Sequence, residues 1–256
     1  MTTPLPDDFL RVPLAHRALH DVSKGRPENS IAAIKAAMEA GYGIEIDVQL
    51  SADDEGMVFH DYALERLSHG LGAVRLKTAR ELAAIPLRGA KEEFIPTLAQ
   101  VLDVVGGRVP LLIEVKDQDG AMGPNVGILE RAVARAIRDY RGPVAVMSFN
   151  PHSVTALGAL LPDVPRGIVT SAYRPSEWPL STALCDHLRE IPDYEACGAS
   201  FVSHEVDDLD RARLSDLKAR GAAILCWTVT SQTMEDGARE YADNITFEQY
   251  EAACPP

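Results

Sequence analysis

Three acidic residues interrupt two otherwise apolar runs of the sequence and are its clearest candidates for chemistry. Glu45 and Asp47 lie in the run Tyr42–Leu50, and Glu114 lies in the run Val109–Val115. In a β-strand, residues i and i+2 face the same side, so we expect Glu45 and Asp47 to be neighbours on one face. Burial of a charged side chain in such a strand costs several kcal/mol of folding free energy unless the charge is paired or bound to a metal. The pattern therefore indicates one shared cation, and a ligand set made only of oxygen favours Mg²⁺ or Ca²⁺.

Lys116 leaves a second interpretation of the same carboxylates open. It follows Glu114 by two residues and so shares a strand face with it. A salt-bridge network inside the fold, joining Glu45 or Asp47 to Lys116, would also keep the charges paired without any metal.

Two histidines at the ends of apolar runs, His16 and His60, suit acid–base catalysis because imidazole titrates near neutral pH. A single histidine at a strand end is more often an ordinary polar residue. Here the two are expected at the same end of the fold as three carboxylates and the cations Arg17 and Lys116, and this combination favours a catalytic site. His204 ends a later run and is expected to face the same opening, where it could touch a substrate. No role is predicted for His20, His69, His152 or His187.

The fold that would position these residues is indicated by eight short apolar runs that alternate with helical patterns. This alternation predicts βαβ units and a parallel sheet, and eight repeats in 256 residues predict one (β/α)8 TIM barrel over residues 1–256. The first run is followed by no Gly-rich turn, which argues against a dinucleotide-binding fold. The runs are Val12–Ala15, Tyr42–Leu50, Val109–Val115, Val144–Phe149, Arg166–Thr170, Ala199–Ser203, Ala222–Val229 and Asn244–Phe247.

Residues 51–96 make a longer connection than a barrel needs between a strand and its helix. They contain a short strand pattern, Met57–Phe59, and a helical pattern, Thr78–Ala84. We therefore expect a small insertion after the second strand, at the barrel mouth, and its many charged residues predict a polar rim.

Composition and net charge argue against three classes of binding partner: nucleic acid, membranes and metals bound through sulfur. The formal net charge of −13 argues against nucleic acid, which is bound by basic surfaces. No apolar run reaches the ~18 residues of a membrane span, and no signal-peptide pattern is seen, so a cytoplasmic protein without a membrane partner is expected. The four cysteines form no close pairs, which argues against a metal site built on sulfur. Nothing in the sequence predicts the oligomeric state.

Seven segments of the chain carry a resemblance to a known family. In this order and spacing they resemble the glycerophosphodiester phosphodiesterases, a resemblance that spans nearly the whole chain and is most specific up to Lys116. The segments are AHR (Ala15–Arg17), PENS (Pro27–Ser30), GIEIDVQLSADDEGMVFHD (Gly43–Asp61), IPTL (Ile95–Leu98), LLIEVK (Leu111–Lys116), SFN (Ser148–Asn150) and CWTV (Cys226–Val229).

The resemblance implies metal-dependent hydrolysis of small glycerophosphodiesters to glycerol 3-phosphate and an alcohol. It implies His16 and His60 as the acid–base pair, with His16 preferred as the base and His60 as the acid. It implies one divalent cation, Mg²⁺ or Ca²⁺, on Glu45, Asp47 and Glu114.

The resemblance also implies how the substrate is held. Arg17 and Lys116 would bind the phosphate, and Glu28 would orient Arg17, although an acidic residue in the first turn of a helix is equally expected from the helix dipole. Trp227 would form an apolar wall for the glycerol moiety, and a plain core tryptophan is the alternative.

Two departures from the family pattern bear on specificity, and two other functions stay open. Ala18 replaces the usual Gly after the His-Arg pair, and Thr246-Phe247 replaces a common Thr-Asp pair.

The first alternative function is that of a lysophospholipase D-like enzyme, which would need an apolar patch at the mouth. The second is a catalytically silent phosphate-binding barrel, which would be expected to have lost a histidine or a carboxylate.

Overall fold

Eight largely apolar segments form the parallel strands of a closed barrel in the computed structural model, which describes residues 2–254. Helices cover one face of each strand and the barrel interior covers the other. The first strand pairs with both the second and the last, and this closes the sheet, so the (β/α)8 prediction is confirmed. A ninth, short strand lies antiparallel to the second. The strands are β1 (Leu14–Ala15), β2 (Gly43–Leu50), β3 (Gly56–Val58), β4 (Leu111–Val115), β5 (Val144–Ser148), β6 (Arg166–Thr170), β7 (Phe201–Glu205), β8 (Ala223–Val229) and β9 (Asn244–Phe247).

Short helices follow most of the strands and pack their apolar sides on the barrel. Thr97, which begins one of them, accepts a hydrogen bond from the Gln100 backbone, and the Gln100 side chain accepts one from Thr97 in return. Among residues 2–254, no helix combines the length and apolarity needed to cross a membrane. The helices are α1 (Asp8–Arg11), α2 (Ile31–Glu39), α3 (Ala79–Leu82), α4 (Leu98–Val105), α5 (Ile128–Ile137), α6 (Pro151–Leu160), α7 (Thr182–Arg189), α8 (Ala212–Ala219) and α9 (Gln232–Ala238).

The N-terminal segment closes the end of the barrel at which the strands begin. Phe9 of α1 is fully buried in the interior cluster, together with Phe201 of β7. Asn244 holds this segment in place by donating to two of its carbonyl oxygens, each at 2.7 Å. Gly167 of β6 faces the Phe201 ring so closely that any Cβ at this position would overlap it. This end is therefore a packed apolar floor, which leaves the opposite end for chemistry.

The insertion predicted at residues 51–96 has a small core of its own. It begins with β3 and includes α3, which Thr78 caps through a reciprocal pair of hydrogen bonds with Glu81. Its surface is less uniformly polar than its charges predict, because Leu71 and Leu76 are 72% and 78% exposed. The buried cluster consists of Met57, Phe59, Leu64, Val74, Leu82, Leu87 and Ile95.

Candidate active site

The three predicted carboxylates lie together at the open end of the barrel. β2 and β4 are neighbouring parallel strands, and Asp47 is opposite Glu114 in their register. One oxygen from each of Glu45, Asp47 and Glu114 lies within 4.8 Å of the other two, and all three side chains are buried. A set made only of carboxylate oxygens fits a hard divalent cation such as Mg²⁺ or Ca²⁺. These residues can therefore hold one such ion.

Two cations, Lys116 and Arg17, border the carboxylates. Lys116 Nζ lies 2.7 Å from Asp47 Oδ1 and 2.7 Å from Glu114 Oε1. Arg17 Nε lies 3.7 Å from Asp47 Oδ2, and within residues 2–254 it has no hydrogen-bond partner. The salt-bridge network that the sequence left open is thus present, but it engages Asp47 and Glu114. In the described part of the chain, the Glu45 carboxylate accepts a hydrogen bond only from the Arg17 backbone N–H, at 2.9 Å.

The positive groups nearby compensate the negative charges of the carboxylates to different degrees. Burial raises the pKa of Glu45 well above its ordinary value, and repulsion from Asp47 and Glu114 raises it further. Burial acts in the same direction on Asp47, but the neighbouring positive groups, Lys116 first among them, outweigh it and lower the pKa of Asp47. The pKa of Lys116 is raised because the two adjacent carboxylates outweigh the effect of its burial. Glu45 is thus the carboxylate that a further cation would stabilise most.

His60 is held by a chain of charged groups that runs through the insertion. Its Nδ1 lies 2.7 Å from Asp61 Oδ1, so Nε2 is left for the cavity. Arg66 donates to both oxygens of Asp61, at 2.6 and 2.7 Å, and to both oxygens of Glu28, at 3.1 Å each. Glu28 in turn accepts from Arg17 at 2.9 Å. The structure therefore places Glu28 against Arg17 and links both residues to His60.

His16 is held by a carboxylate that sequence reasoning missed. Glu248, directly after β9, lies 2.7 Å from His16 Nδ1 and 3.3 Å from His20 Nε2. Hydrogen bonds to the two histidines lower the pKa of Glu248. Burial lowers the pKa of His16, and Glu248 opposes this effect in part. The departure Thr246-Phe247 was a usable signal, because the acidic residue one position later supplies the carboxylate at this strand end.

Asn29 is a second residue whose part in the site was missed. The N-terminus of α2 is capped by Ser30, the residue that follows Asn29. Asn29 instead donates to Asp47 Oδ2 at 2.9 Å and accepts from the Asp47 backbone N–H at 3.2 Å. Its φ of +60° and the φ of +51° at Arg17 are in the left-handed region, where a non-glycine residue is strained. The two strained turns bring Asn29 and Arg17 to the same carboxylate.

An aromatic wall lines one side of the cavity above the carboxylates. Trp227 of β8 packs edge-on against Phe149 with ring centroids 5.5 Å apart, and Phe149 is 5.2 Å from Trp178. The Trp227 indole N–H donates to the Ser203 carbonyl oxygen at 3.1 Å, which fixes the plane of the ring. Trp227 therefore borders the same cavity as His16 and His60 rather than the apolar core alone.

His204 does not face the barrel opening, so that expectation is wrong. In β7 the alternate residues Phe201 and Ser203 face the interior, and His204 lies on the other side of the strand. Its Nδ1 is 2.7 Å from Thr170 Oγ1 and its Nε2 is 3.3 Å from Asp208, with the ring fully buried. The residue links β6, β7 and the turn after them, and has no contact with the cavity.

Comparison with known proteins found a matching family model and relatives similar in sequence. The model of the glycerophosphoryl diester phosphodiesterase family matches residues 16–250. Bacillus subtilis (strain 168) YhdW is 30% identical over 227 residues, which are 86% of this chain and 86% of the relative. A glycerophosphodiester phosphodiesterase of Caldanaerobacter subterraneus subsp. tengcongensis is 33% identical over 175 residues, 64% of this chain and 69% of that protein.

A solved structure agrees with the fold. The phosphodiesterase of Oleispira antarctica, determined with its product sn-glycerol-3-phosphate, superimposes with a TM-score of 0.77 at 24% identity and covers 95% of both chains.

Proposed function

Because the chain belongs to the glycerophosphoryl diester phosphodiesterase family, we propose that it hydrolyses small glycerophosphodiesters to glycerol 3-phosphate and an alcohol, with one divalent cation. The observation that carries this proposal is the placing of His16 and His60 around one cavity with the carboxylate cluster. Each histidine has its Nδ1 held by a carboxylate and its Nε2 left for chemistry. A silent phosphate-binding barrel would have no use for two histidines oriented in this way.

The carboxylates suit a cation that assists phosphate chemistry. When bound by Glu45, Asp47 and Glu114, Mg²⁺ or Ca²⁺ would polarise a phosphoryl oxygen and neutralise charge that develops on it. Arg17 Nε and Lys116 Nζ would donate to the same phosphate, adding electrostatic stabilisation of the transition state.

The two histidines divide the proton transfers between them. His16 Nε2 accepts a proton from the attacking hydroxyl or water, since burial favours the neutral form of this ring. His60 Nε2 donates a proton to the oxygen of the leaving alcohol, and Asp61, 2.7 Å from His60 Nδ1, holds the ring in position for that step. Asp61 and Glu248 hold each ring by its Nδ1, so that Nε2 of both rings is directed at the reaction.

Removal of divalent cations tests this function. We expect chelator-treated protein to stop hydrolysing bis(p-nitrophenyl) phosphate and glycerophosphodiesters, and to recover with Mg²⁺ or Ca²⁺. Glu45→Gln should weaken cation binding measured directly by calorimetry, because it removes the carboxylate least compensated by protein cations. The matched control is Glu55→Gln, an exposed residue of the insertion. Full turnover in excess chelator, or unchanged cation affinity of Glu45→Gln, would contradict the proposal.

A further inference from the structure

His20, for which the sequence predicts no role, contacts the carboxylate that holds His16. Glu248 Oε2 lies 2.7 Å from His16 Nδ1 and 3.3 Å from His20 Nε2. An ionised carboxylate can only accept hydrogen bonds, so each histidine donates an N–H to the same oxygen. One oxygen atom therefore joins the two rings.

Few other contacts hold the Glu248 carboxylate in place. Its second oxygen accepts a hydrogen bond from the side chain of Gln249, an exposed residue, at 2.9 Å. Within residues 2–254, no lysine or arginine lies within salt-bridge distance of Glu248. A glutamate side chain has several rotatable bonds, and ordering them costs conformational entropy that contacts must offset. Besides His16 itself, His20 is thus the residue that restrains the oxygen bonded to His16.

The connection between β1 and α2 holds His20 in a closed loop. The His20 backbone N–H donates to the Ala18 carbonyl oxygen at 2.8 Å. The next residue, Asp21, exchanges two backbone hydrogen bonds with Arg26, of 2.7 and 3.0 Å. The backbone on both sides of His20 is therefore fixed, and the ring is held against Glu248 by an ordered segment.

His20 lies outside the cavity in which the reaction would occur. It lines a surface groove of about 740 Å³, and this groove shares no lining residue with the cavity around His16. A substrate in the cavity therefore has no contact with His20. Any effect of His20 on the reaction must pass through Glu248.

We propose that His20 is a positioning residue for the reaction, which holds the shared oxygen of Glu248 so that this oxygen stays bonded to His16 Nδ1. The inference rests on the proposed function and adds a residue to the support of its base. A ring held at Nδ1 has its Nε2 fixed in space, and a small misplacement of a catalytic group is enough to slow the reaction. Loss of His20 should therefore affect kcat rather than KM.

A double-mutant cycle tests whether His20 acts through Glu248. We expect His20→Ala to lower kcat by about 3- to 30-fold with KM little changed, the size of one hydrogen bond to a charged group. In a Glu248→Ala background the same substitution should lower kcat by less than about twofold, because the carboxylate that His20 holds is already absent. An equal loss in both backgrounds, or a normal kcat in His20→Ala alone, would overturn the inference.

Two further variants separate the hydrogen bond from a general effect on the fold. The amide nitrogen of glutamine can occupy the position of imidazole Nε2, so His20→Gln should recover most of the rate. His187 is an exposed histidine on α7, and His187→Ala should keep the wild-type kcat. A rate in His20→Gln as low as that in His20→Ala would contradict the assignment of a hydrogen bond.

Proton NMR of the His16 ring measures the contact without turnover. The Nδ1–H of His16 should give a low-field signal, assigned by its absence in His16→Ala. We expect His20→Ala to shift or broaden this signal, because its acceptor is less well held, and His187→Ala to leave it unchanged. An unchanged signal in His20→Ala would also overturn the inference. The proposed function would fail separately, through absence of glycerophosphodiester hydrolysis by the wild type in the presence of Mg²⁺ or Ca²⁺.

Discussion

At the scale of single residues, each of the two histidines of the site is held by a carboxylate, and the two carboxylates come from different parts of the chain. His60 is bound to the adjacent Asp61, whereas His16 is bound to Glu248, 232 residues away in sequence. The carboxylate in each pair selects the tautomer and fixes the orientation of its ring. Under the proposed function, Glu248 would be a positioning residue, since it contacts His16 and does not line the cavity.

Substitution of Glu248 tests this positioning role. We expect His16→Ala to lower kcat roughly 10²–10⁴-fold, the usual size of an acid–base contribution. Glu248→Gln should lower kcat roughly 10–10³-fold, because the amide no longer selects the tautomer or stabilises the charged ring. KM should change little in either variant, and Glu248→Asp should recover part of the rate.

The matched control is His187→Ala, an exposed histidine on α7. The measurement is the dependence of kcat and kcat/KM on pH. Normal kcat and an unchanged pH profile in Glu248→Gln would exclude the positioning role.

The positions of Glu45, Asp47 and Glu114 could be predicted from the sequence only as far as the alternation of side chains along one strand determines them. Alternation along a strand was enough to place Glu45 with Asp47, because strand geometry is local. Alternation also decides the side on which His204 lies, but the expectation for it was drawn from its position at a strand end and not from the parity of β7. The contact of Glu248 with His16 could not be derived from periodicity, since only closure of the barrel brings the two residues together, and the departure Thr246-Phe247 was the signal available at this strand end.

At the scale of secondary-structure elements, the eight strands could be predicted because continuous apolar runs of strand length are characteristic of parallel sheets. The small core of the insertion could not be predicted in the same way, since its apolar residues are scattered among charges. Met57 and Ile95 meet there only after the segment has folded back on itself. The apolar groups that line the barrel opening beside His60, which include Tyr62 from this insertion, escaped prediction for the same reason.

The His204 contacts between β6, β7 and the following turn should make stability depend on pH. Burial lowers the pKa of His204 to about 4 in the folded chain, from an ordinary value of 6.5. Between these values the unfolded chain binds a proton that the folded chain does not. The contribution is therefore complete above pH ~6.5 and is lost as pH falls towards ~4, by up to about 3 kcal/mol.

Urea unfolding at a series of pH values measures this effect. His204→Gln should lose stability less steeply than the wild type as pH falls through that range. His187→Gln, at an exposed position, should keep the wild-type slope. Parallel curves for the wild type and His204→Gln would show that His204 does not contribute to the acid sensitivity.

At the scale of the whole molecule, an anionic chain must bind an anionic substrate. The formal net charge is −13, yet Arg17 and Lys116 line the cavity at the barrel opening, beside a carboxylate site suited to a divalent cation. Local positive charge can thus bind a phosphate although the protein as a whole repels it.

The size of the cavity that His16 and His60 line predicts a preference for water-soluble substrates over lysophospholipids. Its volume of about 190 Å³ is below the ~300–1,000 Å³ of pockets for drug-sized ligands, so we expect an acylated glycerol arm to fit poorly. We expect kcat/KM for glycerophosphocholine to exceed that for lysophosphatidylcholine, below its micelle concentration, by at least roughly tenfold. Both substrates release choline, so the comparison isolates the glycerol arm. A higher value for the lipid would favour the lysophospholipase D-like alternative.

Closure of the barrel by β1 and β9 has a consequence for how the protein is made. Until the last strand emerges from the ribosome, β1 and β8 each present an edge with unpaired backbone N–H and C=O groups. Such edges can pair with other chains and promote aggregation. Nascent chains and fragments that end before Asn244 would therefore contain every carboxylate of the cluster and still lack both a closed sheet and the support of His16. Synthesis must therefore pass β9 and Glu248 before the edges of β1 and β8 are covered, and the support of His16 is completed at the same stage.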